Sequence, residues 1–131
     1  MISFVRHGET AHNREGRLQG RADIELSARG VDQVGRLGAR FSAGSLTAVV
    51  TSPLRRARQT ADAIAQAAGT TAEVDDRLAP GSTADDVRAV VAGRGETVVT
   101  VGHQPDCSEI VIALTGEEVR FPPGGFHEVT L

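Results

Sequence analysis

Three short segments hold most of the chemically capable side chains: Arg6-His7-Gly8-Glu9-Thr10, Ser52-Pro53-Leu54-Arg55-Arg56 and Gly102-His103. Each follows an apolar stretch that reads as a strand, and in open α/β sheets the carboxyl ends of strands are where ligands bind. Two histidines and two or three arginines sharing one pocket suit a dianion, because each guanidinium offers a fork of donors that matches phosphate oxygens. A helix opening near Pro53 adds the positive end of its dipole. Phosphate is the anion this set fits best. The nucleophile is found by elimination. There is no Gly-x-Ser-x-Gly elbow, and the residue six after Cys107 is Ala113, so the Cys-x5-Arg loop of thiol phosphatases is absent. No His-Glu-x-x-His occurs, and His7-x-Glu9 lacks the Pro-Cys-x-x-Cys partner of zinc deaminases. All fourteen basic residues are Arg, which removes both the phosphate-loop lysine and Schiff-base chemistry. His7 remains. An ordinary imidazole is roughly three-quarters neutral at pH 7, and Arg6 and Arg56 beside it favour the neutral form further, leaving a lone pair for attack on phosphorus.

These segments need elements to position them. Residues 2–6 are too short for a helix and rich in strand formers, so they read as a buried strand ending at Arg6. Val31, Val34, Leu37 and Phe41 predict the buried face of a helix capped by Ser27 and ended by Gly44. Leu46 to Thr51 reads as a second strand. Ser52-Pro53 then predicts an N-cap with proline in the first turn, and Leu54, Ala57, Ala61, Ile64 and Ala68 give one apolar face before Gly69. Residues 71–75 suit a short edge strand, residues 83–92 a helix with Val87, Val90 and Val91 inward, and residues 96–101 another buried strand. A helix over residues 105–115 and a last strand over residues 126–131, delivered by Pro122-Pro123-Gly124-Gly125, complete the order. Alternating strands and helices without a repeat or linker predict one domain over residues 1–131, an α/β/α sandwich of three layers with a mostly parallel sheet and helices on both faces.

Composition removes whole classes of function. At 131 residues, 40% apolar and 24% charged, the chain is of ordinary globular make-up. No apolar stretch is long enough to span a bilayer, and Met1-Ile2-Ser3-Phe4-Val5 has no resemblance to a secretory leader, so a cytoplasmic location is expected. A formal charge of -3 gives no global field for nucleic acid, and with no Trp, no Tyr and four Phe there are no platforms for stacked bases. The single Cys107 cannot form an internal disulfide or a multi-cysteine zinc site and reads as a packed side chain. His12 and His127 read as structural or surface residues. Oligomeric state is left open.

Arg6-His7-Gly8-Glu9-Thr10 with Asn13, then Gln19-Gly20-Arg21-Ala22-Asp23-Ile24-Glu25-Leu26-Ser27-Ala28-Arg29-Gly30, resembles the opening of the histidine phosphatase superfamily, which includes the phosphoglycerate mutases. Ser52-Pro53-Leu54-Arg55-Arg56-Ala57-Arg58-Gln59-Thr60-Ala61 and Val101-Gly102-His103 resemble its later blocks. The resemblance implies a phosphoglycerate mutase-like fold, phosphorylation of His7, and no metal or other cofactor. It also implies a phosphate site made by Arg6, Arg56 and His103, with Asn13 and Gly8 contributing. Arg17 and Arg21, on the loop after the nucleophile, are further candidates for substrate contact.

One departure bears on the substrate. Longer members carry a catalytic Glu shortly after a segment like Asp76-Arg77-Leu78, within an insertion, whereas here Ala79-Pro80-Gly81 stands in its place. Both features resemble the short SixA-like protein-phosphohistidine phosphatases. An alkoxide leaving group needs a proton, commonly a matter of about two to four orders of magnitude in rate. The labile P–N bond of phosphohistidine needs a dedicated acid less, since its nitrogen can be protonated beforehand. Glu9, Asp23 and Asp85 are the candidates for proton donor, and spacing does not choose among them. Protein phosphohistidine is therefore the first expected substrate, small phosphomonoesters the second; a mutase and a catalytically silent phosphate-binding module follow.

Overall fold

The computed structural model describes residues 1–14 and 23–130, with the side chains of Asn13 and Arg14 outside that description. The elements are β1 (Ile2–Arg6), α1 (Ala11–Arg14), α2 (Ala28–Gly38), β2 (Ala48–Thr51), α3 (Arg55–Ala68), β3 (Ala72–Val74), a 3-10 turn (Asp76–Leu78), α4 (Ala84–Val91), β4 (Val98–Gly102), α5 (Asp106–Thr115) and β5 (Phe126–Val129). The five strands lie in the order β3-β2-β4-β1-β5. All pairs are parallel except β1 with β5. The expected sandwich is present, because the two-residue alternation of each strand sends its apolar side chains to two separate cores. Ile2, Phe4, Val50 and Val98 pack under α4 and α5 with Val87, Val90, Ile110 and Val111. Val5, Val49, Val99 and Val101 pack under α2 and α3 with Leu37, Ala57, Ala61 and Ile64.

Register sets up the site. Arg6 lies opposite Gly102, and Thr51 opposite Val101. The chain therefore leaves β1, β4 and β2 at one level, carrying His7, His103 and Ser52 out side by side. The antiparallel β5 closes the other flank: Gly125 O accepts from Arg6 N (2.9 Å), and Gly124 N donates to His7 O (2.9 Å).

Local chemistry explains the helix ends. Ser27 accepts from Gly30 N at the start of α2, Thr83 and Asp86 form a reciprocal capping box on α4, and Gly69 ends α3 at φ 74°. Three details differ from expectation. α2 stops at Gly38 rather than running to Gly44. Its buried face is Gly30, Val34, Leu37 and Gly38, while Val31 is 51% exposed; the backbone contact of Gly30 with Glu9 sets the rotation, and a glycine contributes nothing to an apolar pattern. α3 is capped at Leu54, with no side-chain cap bond. Ser52 lies directly after β2, where its hydroxyl turns toward His103.

Candidate active site

His7 is 2% exposed and immobilised through both ring nitrogens. Nδ1 lies 2.8 Å from Gly8 O, and since a carbonyl only accepts, Nδ1 carries the proton. Nε2 is consequently the unprotonated nitrogen, and Arg56 Nε donates to it at 3.3 Å. Burial, opposed by the Gly8 bond but reinforced by His103, Arg56 and Arg6, lowers the His7 pKa from 6.5 to about 3. The imidazole is thus a neutral base with its lone pair aimed at the arginine, the state a nucleophile requires.

Two arginines and a second histidine lie around it. Arg56, in the first turn of α3, is 2% exposed. Arg6 donates from Nη1 to Phe121 O (2.9 Å), while its buried Nε has no hydrogen-bond partner among the described residues. The His103 ring lies 5.3 Å from that of His7 at 53°, and its Nε2 is 2.7 Å from Ser52 Oγ. The structure therefore brings Arg6, His7, Arg56 and His103 together from three distant segments. Fixed cationic donors around a buried lone pair can neutralise a phosphoryl group and hold its phosphorus in line for attack.

The other expected residues have the following surroundings. Gly8 gives its amide proton to Thr60 Oγ1 (3.0 Å), and the Thr60 hydroxyl donates to Arg56 O (2.8 Å), so this peptide joins the His7 loop to α3. A Cβ at Gly8 would meet Val34 Cγ1 at 2.7 Å. Glu9 turns its carboxylate to the start of α2, accepting from Ser27 Oγ at 3.1 Å. Asp23 Oδ1 accepts from Arg55 N (2.8 Å), meeting a donor at the positive end of α3, and is the charge that most favours the protonated form of buried Arg56. Asp85 is exposed and paired with Arg88 at 3.0 Å. Asn13 belongs to α1, just after the His7 loop. Arg17 and Arg21 lie outside the described residues. Among the described residues no group of three or more His, Cys, Asp or Glu is placed to hold a metal ion.

Sequence reasoning missed two residues. Ser52 reads as a helix cap, although its place directly after a strand was the available signal. Asp106, buried beside His103, accepts from Gly81 N (2.8 Å) and so ties the Ala79-Pro80-Gly81 loop to α5; burial raises its carboxyl pKa. No local pattern marks it.

Fold and site together define an α/β protein with a buried cluster of histidines and arginines at the ends of its strands. The profile of the histidine phosphatase superfamily (branch 1) matches residues 2–80, and the chain belongs to that family. A Salmonella choleraesuis relative named "Probable phosphoglycerate mutase GpmB" is 43% identical over 77 residues, 59% of this chain and 36% of its own length. Phosphoserine phosphatase from Entamoeba histolytica, solved with phosphoserine, superposes with a TM-score of 0.81 at 20% identity, over 95% of this chain and 87% of that one. A mycobacterial glucosyl-3-phosphoglycerate phosphatase solved with VO3 gives 0.77 at 25% identity, over 90% and 83%. The chain has the phosphoglycerate mutase-like fold that these neighbours share.

Proposed function

We propose that the protein is a metal-independent phosphatase that works in two displacements at His7. The observation that carries this reading is the buried His7 ring, whose Nδ1 proton is held by Gly8 O so that Nε2 faces Arg56. In the first displacement a bond forms between Nε2 and phosphorus, the bond from phosphorus to the leaving group breaks, and the leaving group departs with its electron pair, a ring protonated beforehand leaving as neutral imidazole and an alkoxide taking its proton from water. In the second, water attacks phosphorus, the N–P bond breaks, and inorganic phosphate leaves with the Nε2 lone pair restored. Arg6, Arg56 and His103 stabilise charge on the phosphoryl oxygens in both.

The first substrate of this proposal is protein phosphohistidine, in keeping with a SixA-like chain. Its support is the absence of a glutamate at Ala79-Pro80-Gly81, which suits a leaving nitrogen that is protonated beforehand. Small phosphomonoesters are the second reading, favoured by the likeness to the glucosyl-3-phosphoglycerate phosphatase. A mutase must retain and re-donate the phosphoryl group, and the relatives so named are matched over 36% of their length.

The test is incubation with a 32P-labelled phosphohistidine peptide and with labelled phosphoserine, in chelator, followed by quench and mapping. Acid-labile label on His7, lost in His7→Ala, with faster turnover of the peptide, is expected. Turnover of phosphoserine alone would reverse the substrate order. Phosphate binding without turnover of either compound would make the chain a silent binding module.

A further inference from the structure

We infer that Ser52 is a positioning residue of the reaction, its hydroxyl orienting His103 and serving as hydrogen-bond partner to Nε2 in either protonation state. The inference rests on the proposed phosphatase reading and deepens it. Ser52 is held from both sides of its own peptide: its N–H donates to Val101 O (3.0 Å), one step beyond the β2–β4 ladder, and its carbonyl accepts from Thr51 Oγ1 (3.1 Å). The side chain, with the whole residue 0% exposed, has no water to rotate toward. Its Oγ accepts from Leu54 N (3.3 Å) and lies 2.7 Å from His103 Nε2.

A hydroxyl has one proton and two lone pairs, and Leu54 N–H occupies one lone pair. What is left fits an imidazole in both of its states. The proton can be given to a bare Nε2, or the second lone pair can take the proton of an Nε2–H. As phosphoryl charge builds and fades beside His103, the ring can gain or lose a proton at Nε2 and keep its bond to the Ser52 hydroxyl throughout. The same bond holds the ring at its 5.3 Å spacing and 53° tilt to His7. An N-cap serine would spend its hydroxyl on the helix; α3 has no side-chain cap bond, and the Ser52 hydroxyl is directed to the histidine instead.

The experiment compares wild type, Ser52→Ala and Ser52→Thr with p-nitrophenyl phosphate and a phosphohistidine peptide, alongside long-range 1H–15N spectra of the histidine rings. With only four histidines in the chain, the His103 signals are assignable from a His103→Gln control. Ser52→Ala is expected to lower kcat about tenfold to a hundredfold, the scale of a misplaced catalytic group, to leave KM within about twofold, and to change the ring tautomer of His103. Ser52→Thr, which keeps the hydroxyl, should recover most of kcat and the wild-type ring signals. Wild-type kcat and unchanged His103 signals in Ser52→Ala would overturn the inference. Should neither variant fold, the wild-type spectrum decides: a hydrogen-bonded Nε2 sustains the inference, and freely averaging tautomers at His103 refute it. Failure of the parent reading shows separately, as wild-type protein that never carries phosphate on His7.

Discussion

A buried neutral histidine links the chemistry of the site to the stability of the protein. The His7 pKa is about 3 in the folded chain against an ordinary 6.5. Between those values the unfolded chain binds a proton that the folded one does not, so stability falls as pH drops from 6.5 toward 3 and is unaffected by this group above 6.5. The slope approaches about 1.4 kcal/mol per pH unit for one proton. His7→Gln should lack this dependence. Urea unfolding followed by far-ultraviolet circular dichroism at about pH 7.5 and about pH 4.5, on either side of the unfolded-state value, checks it. The stability of wild type relative to His7→Gln should decline at the lower pH, and parallel values would contradict a buried neutral imidazole. At this scale Arg6, His7 and His103 were legible as reactive side chains at the ends of apolar runs, while the choice of Arg56 over Arg55 came from the family resemblance. The sequence did not reveal that Gly8 uses its amide on Thr60, nor that Ser52 faces a histidine 51 positions away.

The His7 loop is held by the docking of α2, and that docking depends on one hydrogen atom. A Cβ at Gly30 would stand 2.0 Å from Glu9 O, two residues beyond His7. Gly30→Ala must push α2 off the loop, costing about 1–3 kcal/mol or more as overpacking and lowering activity along with stability. Gly35, on the same helix, has open space where a methyl group would stand, with nothing within 4 Å, so Gly35→Ala should stabilise by about 0.5–1 kcal/mol through helix propensity alone. Calorimetry and initial rates on the pair provide the check; equal effects would mean that α2 is not closely docked. The sequence located α2 but rotated its face toward Val31, because apolar periodicity scores side chains while this contact is made by backbone. The caps at Ser27 and Gly69 were legible in the sequence, as each depends on residues within a turn of itself, whereas Thr83 read as the first residue of its helix and not as the cap.

For the whole molecule, the sheet separates two cores and the site sits on its edge. Ile64 is 0% exposed within the core under α2 and α3. Ile64→Ala should cost about 2–5 kcal/mol, and because it leaves the strand ends untouched, kcat per folded molecule should stay near wild type. Since the chain has neither Trp nor Tyr, denaturation is best followed by circular dichroism; a large fall in kcat of folded protein would show that this core also tunes the site. The segment before β5 braces the centre through Phe121 O, Gly124 N and Gly125 O, a role that no feature of Phe121-Pro122-Pro123-Gly124-Gly125 signals beforehand. The amino-acid order by itself determined the alternation of strands and helices, the caps at Ser27 and Gly69, and which reactive side chains stand at strand ends, because those follow from neighbours a few residues apart. Only the tertiary structure decided the strand order, the common level of the ends of β1, β2 and β4, and the meeting of the bare His7 Nε2 with Arg56 and of His103 with Ser52. Those depend on hydrogen bonds spanning 49 and 51 residues, which exist only once both cores have packed and set the register between strands.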